Sequence, residues 1–279
     1  MKTIAEVIAL SSDYLASHHI ERPKREAEEL LALVLQMKRI DLYLEFMRPL
    51  EEKELSQMRE LLQKRARGIP FGYLAKQMAF FGALLEITPD VLVPRPETEI
   101  FVERICQQLE AVPLENSVLW DVCTGSGCIG IAIKKRFPQL EVVLSDISPQ
   151  AALVAQNNCV LNKMALSVHV GDLFTPFGEE KCKFLVCNPP YLSQSEYEHV
   201  SKEVKMEPKI ALVAEEDGLA FYRRLAEQLP HRLEVGGRAF FEIGASQEES
   251  VMEIFKNAGY DNIKVERDYA GHPRFFFLE

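Results

Sequence analysis

Val118-Leu119-Trp120-Asp121-Val122-Cys123-Thr124-Gly125-Ser126-Gly127 is the stretch on which the fold turns. An apolar run of strand character passes into a glycine-rich turn, and Gly127–Phe137 continues at helical spacing. The same alternation repeats outward. Strands are predicted at Val142-Val143-Leu144, Ser167–Val170, Phe184–Cys187, Ala239–Ile243, Ile263–Val265 and Phe275-Phe276-Phe277-Leu278. Helices fall between them at Pro149–Asn162, Ala220–Leu233 and Gln247–Asn257. This order predicts an α/β fold, a mostly parallel sheet with helices on both faces. Ligands in that architecture sit outside the carboxyl ends of the strands, where the strand order reverses. Chemistry-bearing residues are therefore sought just after strands.

Upstream the texture differs. Ile4, Val7, Ile8, Leu10 and Leu15 fall mostly at helical spacing, and Pro23 suits the first turn of a second helix that places Ala27, Leu30, Leu31, Val34 and Leu35 on one face. Glu26, Glu28 and Glu29 suit that helix's positive end. Leu42–Phe46 and Leu55–Leu62 read as further helical segments of a small bundle, until Gly68, Pro70 and Gly72 break the pattern. Short β-like runs follow at Phe80–Leu85 and Leu92-Val93, read as a hairpin or connector. The stiff segment Pro94-Arg95-Pro96-Glu97-Thr98-Glu99 then leads into a helix reaching about Leu109. The expected division is a helical domain over 1–74, a β-hairpin linker over 75–94 and an α/β domain over 95–279.

With 279 residues, 47% hydrophobic and 27% charged, composition excludes extended disorder, collagen-like and coiled-coil classes. The formal net charge is −10, and residues 91–279 carry 28 acidic against 19 basic side chains. That surplus argues against stable nucleic-acid binding through a generic basic groove. No apolar run reaches the roughly 20 residues of a membrane span. The start, Met1-Lys2-Thr3-Ile4-Ala5-Glu6, lacks a signal-peptide core, so a cytoplasmic location is expected. The six cysteines include Cys123/Cys128 and Cys182/Cys187 at a spacing unlike zinc sites. Reduced core thiols are expected, with no metal. The six histidines form no catalytic pattern. Lys64, Arg65 and Arg67 read as a solvated helix end, and Glu215-Glu216-Asp217 as a solvated helix start or loop.

Two strand-end features carry chemistry. In the loop Asp121–Gly127 the glycines let the backbone turn sharply and approach a ligand. Gly125-Ser126-Gly127-Cys128-Ile129-Gly130 also fits the dinucleotide fingerprint, so the loop alone leaves a nicotinamide cofactor open. Asp146 ends the next strand, 21 residues after Gly125, where a carboxylate can accept from ribose hydroxyls.

The second feature is Cys187-Asn188-Pro189-Pro190-Tyr191, after the fourth strand. The lone pair of an amide or exocyclic amine nitrogen is delocalised, so that nitrogen is a poor nucleophile. The Asn188 side-chain oxygen and the Pro189 carbonyl can hold its two N–H groups, aim the lone pair at an electrophilic methyl and favour the positive charge that develops. The prolines stiffen the loop, and Tyr191 offers an apolar face to a flat group. Beside the glycine loop and Asp146, this turn points to S-adenosylmethionine rather than a nicotinamide. A dehydrogenase would leave Asn188–Tyr191 without a use, and so would a non-catalytic nucleotide-binding protein.

Across nearly the whole chain the sequence resembles the bacterial release factor glutamine methyltransferase family (the HemK/PrmC type). The likeness rests on Arg67-Gly68-Ile69-Pro70 with Tyr73, Val93–Glu99, Asp121–Gly127, Gly171-Asp172-Leu173-Phe174 and Asn188–Tyr191. Glu207-Pro208 with Ala211-Leu212, Gly236-Gly237, Glu242-Ile243-Gly244 and Gly271-His272-Pro273-Arg274 complete it. The resemblance implies a class I methyltransferase (Rossmann-like) sheet preceded by a helical domain that grips the protein substrate. It implies methyl transfer to the side-chain amide nitrogen of the glutamine in the Gly-Gly-Gln loop of class 1 peptide chain release factors, by a monomer. It further implies that Cys123, Thr124, Gly125, Ser126 and Gly127 line the methionine part of the cofactor. Asp146 would hold the ribose, Asp172 and Leu173 would border the adenine, and Asn188, Pro189, Pro190 and Tyr191 would hold the glutamine amide, with Asn188 also touching the cofactor. Arg95 and Glu97 would shape the pocket mouth, unless an Arg–Glu pair there serves to stabilise the joint between domains. Cys123 departs from the family's usual glycine, and Leu173 offers packing where an aromatic ring would stack. Methylation of a ribosomal protein glutamine, which is chemically identical, stays open beside this reading. So does adenine N6-methylation of DNA or RNA, which needs base flipping and a positive surface.

Overall fold

The computed structural model describes residues 2–215 and 217–279 and divides into two compact units. One comprises the residues up to Lys76 with Ser201–Met206; the other comprises Gln77–Val200 and Glu207–Glu279.

The first unit is helical. Helix α1 (Ile4–Ser17) starts at Thr3, whose hydroxyl accepts from the Glu6 N–H while the Glu6 carboxylate accepts from the Thr3 N–H, a reciprocal cap. Helix α2 (Pro23–Leu35) has Pro23 in its first turn, and α3 (Glu52–Ala66) and α4 (Phe71–Ala75) follow. Their apolar faces meet in a core that includes Ile4, Ile8, Leu15, Leu30, Leu31, Leu42, Met58 and Leu62. Leu10 instead faces solvent. Two expectations need correction. Leu42–Phe46 forms no α-helix, only a 3₁₀ turn at Asp41–Tyr43, with Leu42 buried in the core and Phe46 packed on its edge. Arg65 is not a solvated helix end: it is 2% exposed, bonded through two nitrogens to Glu26 at 2.5 and 3.0 Å and to Glu203 at 2.7 Å. Burial forces such a cation to find fixed partners. Glu28 is likewise buried, accepting from Tyr43 at 2.5 Å and Arg39 at 2.6 Å.

The second unit opens with an antiparallel hairpin, β1 (Gln77–Phe80) and β2 (Ala83–Glu86). Its two-residue turn, Phe81-Gly82, has positive φ at both positions, the geometry that matches strand twist. Leu92-Val93 is irregular rather than a strand. Helix α5 (Pro96–Glu110) precedes the main alternation: β3 (Val118–Val122), α6 (Cys128–Arg136), β4 (Glu141–Asp146), α7 (Pro149–Leu161), β5 (Ser167–Val170) and β6 (Cys182–Cys187). Then come α8 (Gln194–His199), α9 (Ala220–Arg232), β7 (Leu233–Glu242), α10 (Glu248–Asn257), β8 (Ile263–Arg267) and β9 (Pro273–Leu278). The strands form one sheet in the order β5-β4-β3-β6-β7-β9-β8, with β5 to β7 parallel and β9 antiparallel to both its neighbours. Strand β7 begins at Leu233 rather than Ala239, with a register shift against β6 that absorbs Gly236-Gly237. In the run Glu215-Glu216-Asp217, Glu215 and Asp217 lie in a loop, and Asp217 pairs with Arg223 at 2.7 Å; Glu216, like Met1, lies outside the described residues.

Strand order reverses at β3: the chain winds from β3 to β4 and β5 on one side, then returns to place β6 on the other. The ends of β3 and β6 are therefore neighbours, with Val122 opposite Cys187. The glycine loop leaves one of these ends and Asn188–Tyr191 the other.

Candidate active site

An open cleft of about 970 Å³ runs along the carboxyl ends of β3, β4, β5 and β6. Its glycine-loop wall is held from beneath by Asp121. This carboxylate is fully buried, and one oxygen accepts from the Thr124 hydroxyl at 2.6 Å and the Gly130 N–H at 2.9 Å. Its other oxygen has no hydrogen-bond partner among the described residues. Burial pushes the Asp121 carboxyl up to about 7. Gly130 is required by close approach: a Cβ there would lie 2.2 Å from Leu144 and 2.9 Å from the Asp121 oxygen.

Asp146 closes the loop from the side. One oxygen accepts from the Gly125 N–H at 2.8 Å and the other from the Ser148 N–H at 2.9 Å. Each oxygen keeps a further lone pair for a ligand. Burial raises this carboxyl too. Cys123, the departure from the resembled pattern, has φ of +59°, a left-handed conformation in which a Cβ is strained and glycine is favoured.

The structure adds groups that sequence reasoning missed. Asn158 on α7 is fully buried and donates to the Ser126 carbonyl at 2.9 Å and the Glu86 carbonyl at 3.0 Å, while its oxygen accepts from the Glu86 N–H at 2.6 Å. It ties the glycine loop to the hairpin. A polar residue amid the apolar spacing of a helix is the only signal that could have marked it. Phe221 on α9 also reaches the cleft, as do Val91, Leu92, Thr98 and Ile210. Asp172 borders the cleft with Leu173, its carboxylate held by Arg224 at 2.5 Å. Arg224 lies over the Phe221 ring, 5.7 Å from its centroid.

At the β6 end, Asn188 and Pro190 line the cleft. Among the described residues no hydrogen bond engages the Asn188 carboxamide, although the residue is half-buried. The turn itself is strapped in place. The Tyr191 carbonyl accepts from the Gln247 amide at 2.9 Å, and Leu192 exchanges backbone bonds with Leu212 and Ala214, both at 2.9 Å. Pro189 and Tyr191 do not line the cleft; both pack inward, and burial pushes the Tyr191 phenol up to about 12. Behind Tyr191 lies Glu242, fully buried, accepting from the Thr98 hydroxyl at 2.8 Å and raised by burial to about 7. Arg95 and Glu97 are also absent from the cleft wall, and Arg95 pairs with the buried Glu207 rather than with Glu97.

Of the ionisable side chains in the cleft wall, Asp90, Asp146 and Asp172 are acidic and none among the described residues is basic. A pyrophosphate would meet repulsion there; a cationic ligand with apolar arms is favoured.

A doubly wound sheet with a ligand cleft at its switch point is the architecture of nucleotide-cofactor enzymes, and comparison with known proteins narrows it to a methyltransferase. The Methyltransferase small domain model matches residues 97–213 and the PrmC N-terminal domain model residues 6–75. A solved methyltransferase from Pyrococcus furiosus superimposes with a TM-score of 0.53 at 18% identity, over 80% of this chain and 96% of that one. A Thermus thermophilus 16S rRNA N2 methyltransferase, solved with AdoMet and guanosine, gives a TM-score of 0.54 at 17% identity, over 73% and 49% of the two chains. At such identities these two attest the fold alone. The chain belongs to the release factor glutamine methyltransferase family. A relative of that name in Chlamydia trachomatis is 43% identical over 96% of this chain and 91% of its own length, and one in Geobacter sulfurreducens 35% identical over 98% and 95%.

Proposed function

We propose that this enzyme transfers a methyl group from S-adenosylmethionine to the side-chain amide nitrogen of the glutamine in the Gly-Gly-Gln motif of class 1 peptide chain release factors. The observation that carries the proposal is the unengaged Asn188 carboxamide, held on a strapped, proline-stiffened turn in an acidic cleft beside the glycine loop. The protein keeps a polar acceptor free at the place where a planar nitrogen must be oriented.

The residues present fit the cofactor. Asp146 retains lone pairs for ribose hydroxyls, the backbone from Cys123 to Gly127 borders the methionine arm, and Leu173 and Phe221 supply apolar and aromatic walls for a purine. Asp90 and Asp146 suit a cation, Asp172 being already paired with Arg224. When bound, S-adenosylmethionine supplies an electrophilic methyl on a positively charged sulfur. The Asn188 oxygen and the Pro189 carbonyl accept the two amide N–H groups, restrict rotation about the carboxamide and favour positive charge on nitrogen. Pro190 and Tyr191 stiffen the turn, Tyr191 from behind and not as a surface under the amide. The proton leaves after the displacement, so no general base has to act first. The helical unit contributes the surface that engages the release factor.

The test is mass spectrometry of a purified class 1 release factor after incubation with the enzyme and isotopically labelled S-adenosylmethionine. The expected product is one labelled methyl on the peptide containing the Gly-Gly-Gln glutamine. Label appearing only on a ribosomal protein, or only on nucleic acid, would refute the substrate assignment.

A further inference from the structure

The proposed reaction gives no role to a pair of thiols that the structure brings together at its centre. Cys123 follows the last residue of β3, and Cys187 is the last residue of β6. Val122 lies directly opposite Cys187. On ideal spacing, about 4.8 Å between strands and about 3.3 Å per residue, a residue one step beyond Val122 has its Cα about 6 Å from that of Cys187. A disulfide bridges roughly 4.4–6.8 Å.

Direction matters as much as distance. In an unbroken strand, residue 123 would point to the face opposite Val122 and Cys187. The left-handed φ at Cys123 breaks that alternation, and its side chain packs on the cluster that contains Val122 and Cys187. The two side chains share that cluster, close enough for their thiols to influence each other. Both are free, and their surroundings differ. Cys123 is half-buried on the cleft wall, whereas Cys187 is sealed in the core, where burial holds its thiol well above the usual range. Cys106, Cys128, Cys159 and Cys182 are buried as well, so Cys123 is the most accessible of the six.

We propose that Cys123 and Cys187 form an oxidation site, which a peroxide entering the cleft converts to a disulfide and a dithiol reductant restores. The Cys123 sulfur attacks one peroxide oxygen as the O–O bond breaks, giving a sulfenic acid; the departing oxygen takes up the proton the thiol gives up and leaves as water or an alcohol. The Cys187 sulfur then attacks the sulfenic sulfur, and its proton leaves with the hydroxyl group as water. The thiols lose two electrons and the peroxide gains them. The new bond ties the end of β3 to the residue preceding Asn188. On the methyl-transfer reading, on which this consequence rests, the cross-link fixes the glycine loop against the acceptor turn and lowers turnover at least tenfold.

Full-length protein is treated with hydrogen peroxide, alkylated, and digested without reduction. The expected result is a linked Cys123–Cys187 peptide and, before alkylation, a whole-protein mass lower by about 2 Da, both reversed by dithiothreitol. In Cys187→Ala the link is absent and dimedone traps a sulfenic acid at Cys123. Failure to recover the linked peptide from oxidised wild type, or recovery of each cysteine with its own separate adduct, overturns the proposal. The wild-type peptide map decides the matter even if the variant misfolds. A linked peptide from a protein that methylates no release factor would leave the oxidation site standing and sink the functional assignment instead.

Discussion

Truncating Asn188 to alanine separates orientation from binding. Among the described residues its carboxamide has no hydrogen-bond partner, so Asn188→Ala strands no buried group. The turn keeps its anchors through Gln247, Leu212 and Ala214. Folding stability should therefore change by no more than about 0.5 kcal/mol. The cofactor's ribose and purine contacts lie elsewhere, so affinity for S-adenosylhomocysteine should stay within about twofold by isothermal titration. Transfer should fall by much more. Removing one preorganised hydrogen-bonding group from a reacting centre costs about 10²–10³ in rate, roughly 3–4 kcal/mol. The Pro189 carbonyl remains, so some activity should persist. Single-turnover methylation of a release factor at saturating cofactor reads this loss directly. A rate within threefold of wild type, or a loss fully accounted for by weaker cofactor binding, would refute the orienting role.

Asp146→Ala should act the other way. It removes the acceptor for the Gly125 and Ser148 N–H groups and the ribose partner, weakening cofactor binding about 10- to 100-fold. The rate at saturation should change little, and titration calorimetry beside saturating kinetics checks the split. Asp121 and Glu242 are buried acids raised to about 7 from 3.8 and 4.5. The folded state binds their protons more tightly than the unfolded chain, so their contribution to stability is full below the unfolded values and is lost as pH rises towards 7. Asp121→Asn should flatten that decline, seen as a smaller difference between urea midpoints at pH 5 and pH 8; an unchanged difference would contradict the raised value. Gly130→Ala should destabilise by about 1–3 kcal/mol, because its Cβ would meet Leu144 at 2.2 Å with a packed strand behind it. Thermal denaturation checks this, and an unshifted midpoint would show that the helix can move away.

What the sequence disclosed and what it hid follow from the range of the forces involved. Strand β3, its glycine loop and α6 are legible because each is fixed by local spacing and by backbone freedom at glycine. The same holds for Asp146 and Asn188, which stand at strand ends and so reveal themselves by position. Leu42–Phe46 was misread because an apolar run of that length satisfies a helix and a 3₁₀ turn equally well, and the core buried only Leu42 fully, with Phe46 at its edge. Arg65 was misread because its partners, Glu26 and Glu203, are far away along the chain. Asn158 and Phe221 were missed for the same reason: each matters through what the fold sets opposite it. Cys123 lies between these cases. Its departure from glycine was visible, but the left-handed backbone beneath it and the thiol facing it were not.

The adjacency of β3 and β6 is what makes a weak nucleophile reachable. An orienting acceptor and a glycine loop on strands two apart would be separated by roughly 10 Å, too far for one methyl group to pass between their ligands. In this sheet they leave neighbouring strands in register, Val122 beside Cys187, with about 5 Å between backbones. That register is locked from both faces, since Trp120 stacks on Phe177 at 3.9 Å on one side and Asp121 holds the Gly130 N–H on the other. A one-residue slip would carry the indole to the side of the carboxylate and the carboxylate into the aromatic layer. The side chains that forbid the slip therefore fix how the two loops face each other, although none of them lines the cleft.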